Sequence, residues 1–208
     1  MKFYLLLIWF IVAVLAISVT GCGRYGLGGS VSTQYSLDGV KRIAPGLGSN
    51  DPLTFNQSTY LVSTTSHLLL RFETLSTYVD NIDDTAGKYI QIQITVSDSA
   101  LVAAAVSSLH LCPITKAWMM LASWELAHPF GGGDRWTTPG GDYEASGCVS
   151  GTQSIGTSNI LYDMTQWFKD YPKGRKKNDG LILISSQDIV IIGETSGTYS
   201  PRILFNTF

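Results

Sequence analysis

Charge is the scarcest ingredient of this 208-residue chain. Only 14% of the residues are Asp, Glu, Lys or Arg, and the balance of 14 cations against 16 anions leaves a net charge of −2. The basic footprint of a nucleic-acid-binding protein is therefore absent, and no strongly charged partner is implied. The one cationic cluster, Lys173-Gly174-Arg175-Lys176-Lys177, lies between Pro172 and Asn178. It reads as a solvated loop, with a phosphate or polysaccharide contact as the alternative. Histidine is limited to His67, His110 and His128, with no His-x-x-x-His spacing, so a common zinc-ligand pattern is missing. No Gly-x-Ser-x-Gly elbow occurs, which removes the nucleophile turn of the α/β-hydrolases. Long apolar runs are also missing, save one.

That run is Leu5 to Ile17, LLLIWFIVAVLAI, preceded only by the charge of Lys2 and followed by Ser18-Val19-Thr20-Gly21-Cys22. A spanning helix needs about twenty apolar residues to cross roughly 30 Å of hydrocarbon. This run is shorter, and no basic cluster follows it to stop transfer. A positive start, a modest apolar core and small residues before a cut describe an export signal. Val19-Thr20-Gly21-Cys22 resembles a bacterial lipobox. The resemblance implies cleavage before Cys22 and acylation of its thiol and amine, an anchor of several chains in which each buried methylene contributes about 0.8 kcal/mol. Gly23 stands where an Asp would resemble an inner-membrane retention signal, which favours the outer membrane if the cell has one, with the folded part periplasmic or surface-exposed. Residues 1–21 are then the signal. Residues 22–37 are the lipidated cysteine and a tether, because GRYGLGGSVSTQYS has the composition of flexible coil. The folded domain runs over residues 38–208. Its first stretch, Asp38 to Asn56, is turn-rich with one irregular edge strand.

The body of the chain reads as β. Ile90-Gln91-Ile92-Gln93-Ile94-Thr95-Val96 alternates apolar and polar, the mark of a strand with one buried and one wet face. Leu68 to Glu73 is a second strand, with Leu68, Leu70 and Phe72 on one side, and Ser108 to Ile114 is a third. Leu181–Ile184 and Ile189–Ile192 are apolar on both faces and should be central. Ile203 to Phe205 forms a strand after Pro201. Turns between these runs argue for an all-β, antiparallel two-sheet sandwich. One short helix is expected from Thr165 to Tyr171, with Asp163 as its cap, Gln166 at capping-box spacing and Trp167 and Phe168 against the sandwich.

LLLRFE at 68–73, IQIQITV at 90–96, YDMTQWFKDYP at 162–172, NDGLILIS at 178–185 and ETSGTYSPRILF at 194–205 follow one another in an order that resembles the DNRLRE family of extracellular domains. Trp136-Thr137-Thr138-Pro139-Gly140-Gly141-Asp142-Tyr143 is the most specific piece, and the resemblance covers roughly residues 55–208. It implies a jelly-roll-like sandwich at the cell surface. It also implies a carbohydrate-binding module, or a domain appended to polysaccharide-degrading enzymes.

Trp118, Trp124, Trp136 and Tyr143 cluster in a Gly-rich stretch with Asp142. Aromatic faces suit the apolar side of a sugar ring, and Asp134, Arg135, Asp142 and Glu144 could bond its hydroxyls. The same tryptophans equally read as a cap over the open end of the sandwich. Asp80, Asp83 and Asp84 offer oxygen ligands suited to a structural calcium, the only cofactor the sequence suggests. They lack the glycine and terminal glutamate of an EF-hand and equally read as an exposed acidic turn. With Cys22 acylated, Cys112 and Cys148 are an even pair in an exported domain, where oxidation favours a disulfide. The expected function is a membrane-anchored, non-catalytic module for glycan binding or envelope adhesion, its partners the membrane and a polysaccharide or cell-surface protein. A structural module of a surface assembly and a polysaccharide hydrolase or lyase are the alternatives.

Overall fold

The computed structural model describes residues 31–36, 39–48, 50–51, 57–71, 88–130, 133–170, 179–193 and 201–207, within one compact unit, Val31–Thr207. Two five-stranded sheets dominate it. In the first, the order is β1 (Val31–Ser36), β14 (Arg202–Thr207), β5 (Lys88–Thr95), β11 (Asn159–Asp163) and β10 (Thr152–Gln153). In the second it is β2 (Gly39–Ile43), β4 (His67–Arg71), β12 (Leu181–Ser185), β6 (Leu109–Pro113) and β9 (Val149–Ser150). A pair formed by β3 (Thr59–Val62) and β13 (Ile189–Ile192), and a small hairpin of β7 (Leu126–His128) and β8 (Asp134–Arg135), complete the strands described. All these pairings are antiparallel, so the fold is the sandwich the alternation predicts.

The core between the sheets follows from period 2. Ile90, Ile92 and Ile94 of β5 face Leu68 and Leu70 of β4, Leu109 and Leu111 of β6, and Leu181 and Leu183 of β12 within one buried cluster. The expected helix, α2 (Thr165–Asp170), starts where Asp163 Oδ1 accepts the Thr165 N–H at 3.0 Å. It drops Trp167 and Phe168 into the same cluster, the two rings edge-on with centroids 4.8 Å apart. A second helix, α1 (Val102–Ser108), precedes β6. Its signal is the Ala103-Ala104-Ala105 run, the strongest of helix formers, behind Asp98, whose carboxylate accepts the Ala100 N–H.

Three expectations need correcting. Val31–Ser36, assigned to the tether, pairs residue for residue with β14, so the folded unit begins seven residues before the expected Asp38. Ile189–Ile192 is not a central strand. It pairs with β3 and otherwise bridges only Val96, just past the end of β5, through Ile191. Its burial comes from Ile189 and Ile191 covering the core, while Val190 and Ile192 are half-exposed. In β4, Leu69 is as buried as Leu68 and Leu70, because the outer face of the second sheet is also covered.

That outer face carries a row of side chains in register across four strands: Lys41 of β2, Leu69 of β4, Ile182 of β12 and Cys112 of β6. The loop from residue 115 to 148 closes over it and forms a second buried cluster with Ile43, Trp118, Ala122, Ala127 and Trp136. The molecule therefore has three layers where it covers the second sheet. Two laterally adjacent strands close each side of the sandwich: β1 and β2 are successive edges of the two sheets, and so are β9 and β10, joined at Gly151. A Cβ at Gly151 would lie 2.2 Å from Ile160 Cγ2 and 3.0 Å from the Tyr162 ring. The chain can cross from sheet to sheet there only without a side chain.

Lys41 is the chemical oddity of the outer row, because its side chain is fully buried. Burial penalises the ammonium and lowers its pKa from 10.5 to about 8, against the opposing pull of Asp51. Between about pH 8 and pH 10.5 the unfolded chain binds more protons at this site than the native one, so stability attributable to Lys41 rises with pH across that window. Urea titrations of wild type and Lys41→Met at pH 7.5 and pH 10 should show wild type gaining on the variant as pH rises. A constant difference would exclude the buried ammonium as its cause.

Candidate functional site

The tryptophan-rich loop is held to the second sheet by backbone, side chain and covalent contacts. Strand pairing runs on past β6: the Ile114 N–H donates to Gly180 O, Ile114 bridges Tyr143, the Thr115 N–H donates to Asp142 O and the Glu144 N–H to Pro113 O. The returning chain therefore lies along the end of the sheet as an extra strand fragment. Gly140 and Gly141 make the bend before it, with φ of 96° and 113°, a region L side chains rarely adopt. A Cβ at Gly140 would meet the Trp124 ring at 2.7 Å, so this glycine also lets the half-buried indole lie flat on the backbone. His67, on β4, holds the same bend, its Nδ1 2.7 Å from Gly140 O and its ring 4.9 Å from that of Trp124. Burial lowers the His67 pKa, with the contacts to Gly140 and Thr64 opposing.

The indoles point inward. Trp118 is 5% exposed and Trp136 4%. Trp118 Nε1 donates to Asp179 O at 2.6 Å, and Trp136 Nε1 to Ser123 O at 2.9 Å. The Arg71 guanidinium lies 5.7 Å above the Trp118 ring, closing the remaining face. Neither Trp118 nor Trp136 can therefore offer a stacking platform to a sugar, and the expectation for these two is corrected. They do not cap the open end of the sandwich either. They cover the outer face of the second sheet, because Ile182 and Leu69 leave an apolar surface there that must be kept from water.

Asp142 and Tyr143 do reach the surface. They line an open cleft of about 560 Å³ together with Thr115, Lys116, Thr137, Thr138, Gly141 and Ala145. Asp142 shapes its rim: Oδ2 accepts the Thr137 N–H at 2.8 Å and Oδ1 accepts the Thr138 N–H at 2.9 Å. Partial burial pushes this carboxyl up, but the two N–H donors, the Thr137 side chain and nearby Lys116 outweigh it and hold the group below the usual carboxylate range. Lys116 meets Asp134 Oδ1 at 2.8 Å and donates to Arg135 O. Arg135 in turn lies 3.9 Å from Glu125, and Ser146 Oγ donates to Glu144 at 3.4 Å. Thr115, Thr137 and Thr138 are exposed. No sequence signal singles them out, because hydroxyl residues are plentiful throughout and only folding brings residue 115 beside 137–142.

Cys112 and Cys148 form the disulfide, with Cα atoms 4.0 Å apart. The register of β6 with β9, which sets Leu111 opposite Val149, continues by one step to bring the two cysteines together. Cys112 points outward, opposite to Leu109 and Leu111, and the bridge extends the outer row from the sheet into the loop. Cys22, Asp80, Asp83 and Asp84 lie outside the described residues. Among the described residues no group of three or more His, Cys, Asp or Glu side chains converges as metal ligands, and no helix is long and apolar enough to cross a membrane. Compared with protein-family models and with curated proteins, the chain matches none.

The bridge closes a 36-residue separation, worth about 4 kcal/mol on the chain-entropy model. Cys112→Ala/Cys148→Ala should lower the urea midpoint accordingly, and it should make the segment 115–147 the first site of limited proteolysis. An unchanged midpoint and cleavage pattern would show that the indoles and Asp142 hold the loop unaided.

Proposed function

We propose that this chain is a lipid-anchored envelope protein whose sandwich is a non-catalytic glycan-binding module, with the cleft around Asp142 and Tyr143 as its binding site. The anchor reading rests on the apolar run that ends in Val19-Thr20-Gly21-Cys22. The module reading rests on one observation above the rest: an open cleft whose lining brings together a phenol, three hydroxyls, a carboxylate and an ammonium. Sites that recognise sugars need polar groups fixed in place at low entropic cost, with an aromatic face beside them. Of the aromatic residues expected to meet a sugar, Tyr143 is the one that lines this cleft. If the motifs over residues 55–208 are taken as a DNRLRE resemblance, they imply the same role. The hydrolase alternative needs two carboxyl groups about 5 to 9.5 Å apart, and the cleft lining supplies Asp142 alone.

A structural role in a surface assembly has its own support. Phe130, beside the β7–β8 hairpin, is 62% exposed, and Ile155, at the tip between β10 and β11, is 98% exposed. Such side chains gain free energy when a partner covers them, about 25 cal/mol for each Å² of apolar surface buried.

Two experiments separate these readings. Feeding cells an acyl-chain analogue should label wild type and not Cys22→Ser, and equal labelling of both would sink the anchor. The full chain in detergent, applied to a glycan array, should bind at least one class of glycan. Tyr143→Ala should weaken that binding about two- to tenfold, the worth of one aromatic contact, and its melting transition reports whether the fold survives. Retention on no glycan, with Phe130→Ser or Ile155→Ser dispersing a native assembly, would favour the structural role.

A further inference from the structure

The charges around the cleft are already spent. Lys116, its one cation, is engaged by Asp134 at 2.8 Å and by the Arg135 carbonyl. Arg135 stands next to Glu125. Asp142 brings a negative charge into the lining and uses one lone pair of each oxygen on the Thr137 and Thr138 N–H groups. What remains open toward solvent is neutral and bidirectional. The Thr115 and Thr138 hydroxyls and the Tyr143 phenol can each donate one hydrogen bond and accept others, the Thr137 hydroxyl, whose proton goes to Asp142, can still accept, and Asp142 keeps a lone pair that can accept. A carboxylated or sulfated saccharide would share the Lys116 ammonium with Asp134 and the Arg135 carbonyl, which leave it one N–H, and would bring its own charge toward Asp134 and Asp142. A saccharide bearing only hydroxyls meets donors and acceptors in the alternation that a sugar ring itself displays.

We propose that the ligand of this cleft is an uncharged, polyhydroxylated saccharide, recognised by the Thr115, Thr137 and Thr138 hydroxyls and the Asp142 carboxylate, and that anionic polysaccharides are excluded. The inference rests on the glycan-binding reading above and narrows it to a ligand class. Recognition of this kind has a second consequence. Binding carried by neutral hydrogen bonds responds weakly to ionic strength, whereas binding carried by a cation on an anionic polymer falls steeply with salt.

The test is a paired array. The full chain in detergent is presented with immobilised neutral oligosaccharides and with uronate- and sulfate-bearing oligosaccharides of the same backbone and length. Affinities are then measured between about 50 and 500 mM NaCl, a range over which the screening length falls several-fold. The expected result is retention on neutral members only, with affinity changing less than about twofold across that range. Thr115→Val/Thr138→Val should weaken binding about tenfold or more, since two hydroxyl contacts are lost. Both residues are exposed, so an unchanged melting transition ties that loss to recognition. Preferential, salt-sensitive retention on anionic members would overturn the neutral assignment and leave glycan binding standing. Undiminished binding by the threonine variant would move the site away from this cleft. Binding to no member of either set would overturn the glycan reading together with this one.

Discussion

Strand β12 imposes the constraint on which the rest of the architecture depends. Leu181 and Leu183 face the space between the sheets, while Ile182 faces the other way, between Leu69 and Cys112. A sheet with one apolar face is satisfied by a sandwich. A sheet whose central strand is apolar on both faces needs a third layer, and the chain supplies it from the 35 residues between β6 and β9. That loop is irregular, so its own polar backbone must be satisfied while it lies on an oily floor. The Trp136 N–H, which donates to Ser123 O, and the Asp142 carboxylate, which takes two N–H groups, do this within the loop, while the Trp118 N–H ties the loop to Asp179 O ahead of β12. The cleft results from that covering: it lies between the fragment that runs along the end of the sheet, Asp142 and Tyr143, and the exposed Thr137 and Thr138.

Edges are the usual weakness of open sheets, because unpaired N–H and C=O groups invite another chain. Here the two sheets share their edges in sequence. Val149–Ser150 and Thr152–Gln153 are a single run that belongs to the second sheet on one side of Gly151 and to the first on the other. Val31–Ser36 and Gly39–Ile43 stand in the same relation on the opposite side. The bridging segments are short, which limits the length of exposed ladder. Gly151 is indispensable to one of them, since the space a Cβ would take is filled by Ile160 and Tyr162. The buried Tyr162 hydroxyl has no hydrogen-bond partner among the described residues, and burial pushes its pKa well up, so the ring remains a neutral part of the core.

The parts of the fold that are legible in the sequence are those where local pattern and tertiary environment agree. Ile90 to Val96 alternates because one face is buried and one is wet. Asp163 caps α2 because the first free N–H groups need an acceptor wherever the helix lies. Cys112 and Cys148 pair as their even number suggests. What is not legible depends on partners far along the chain. VSTQYS, residues 31–36, has no apolar run and reads as coil until β14 offers it six pairing positions, an instance of context overriding propensity. The Ile189–Ile192 run reads as central because all four residues are apolar, yet half of that surface is only half-buried. The indoles show the same ambiguity. Aromatic residues among glycines announce a loop, but nothing in the linear order tells whether the rings face water or the sheet beneath. That depends on Ile182 and Leu69, more than forty residues away on either side of them.

The pairing of β1 with β14 also has a mechanical meaning. Val31 lies opposite Thr207, and Cys22 is nine residues earlier in the chain, a contour of about 30 Å at most. Tension carried by an acylated Cys22 would enter the domain at the outermost strand of the first sheet. Force along that strand loads the six residue pairs of the β1–β14 ladder in shear, all at once, and passes through β14 into β5. Force across it opens the same ladder one pair at a time. The module would thus hold differently against drag parallel and perpendicular to its first strand. The covalent bridge at Cys112 and Cys148 belongs to the other sheet, outside that first ladder, so the loop that carries the cleft would keep its shape after β1 had begun to yield.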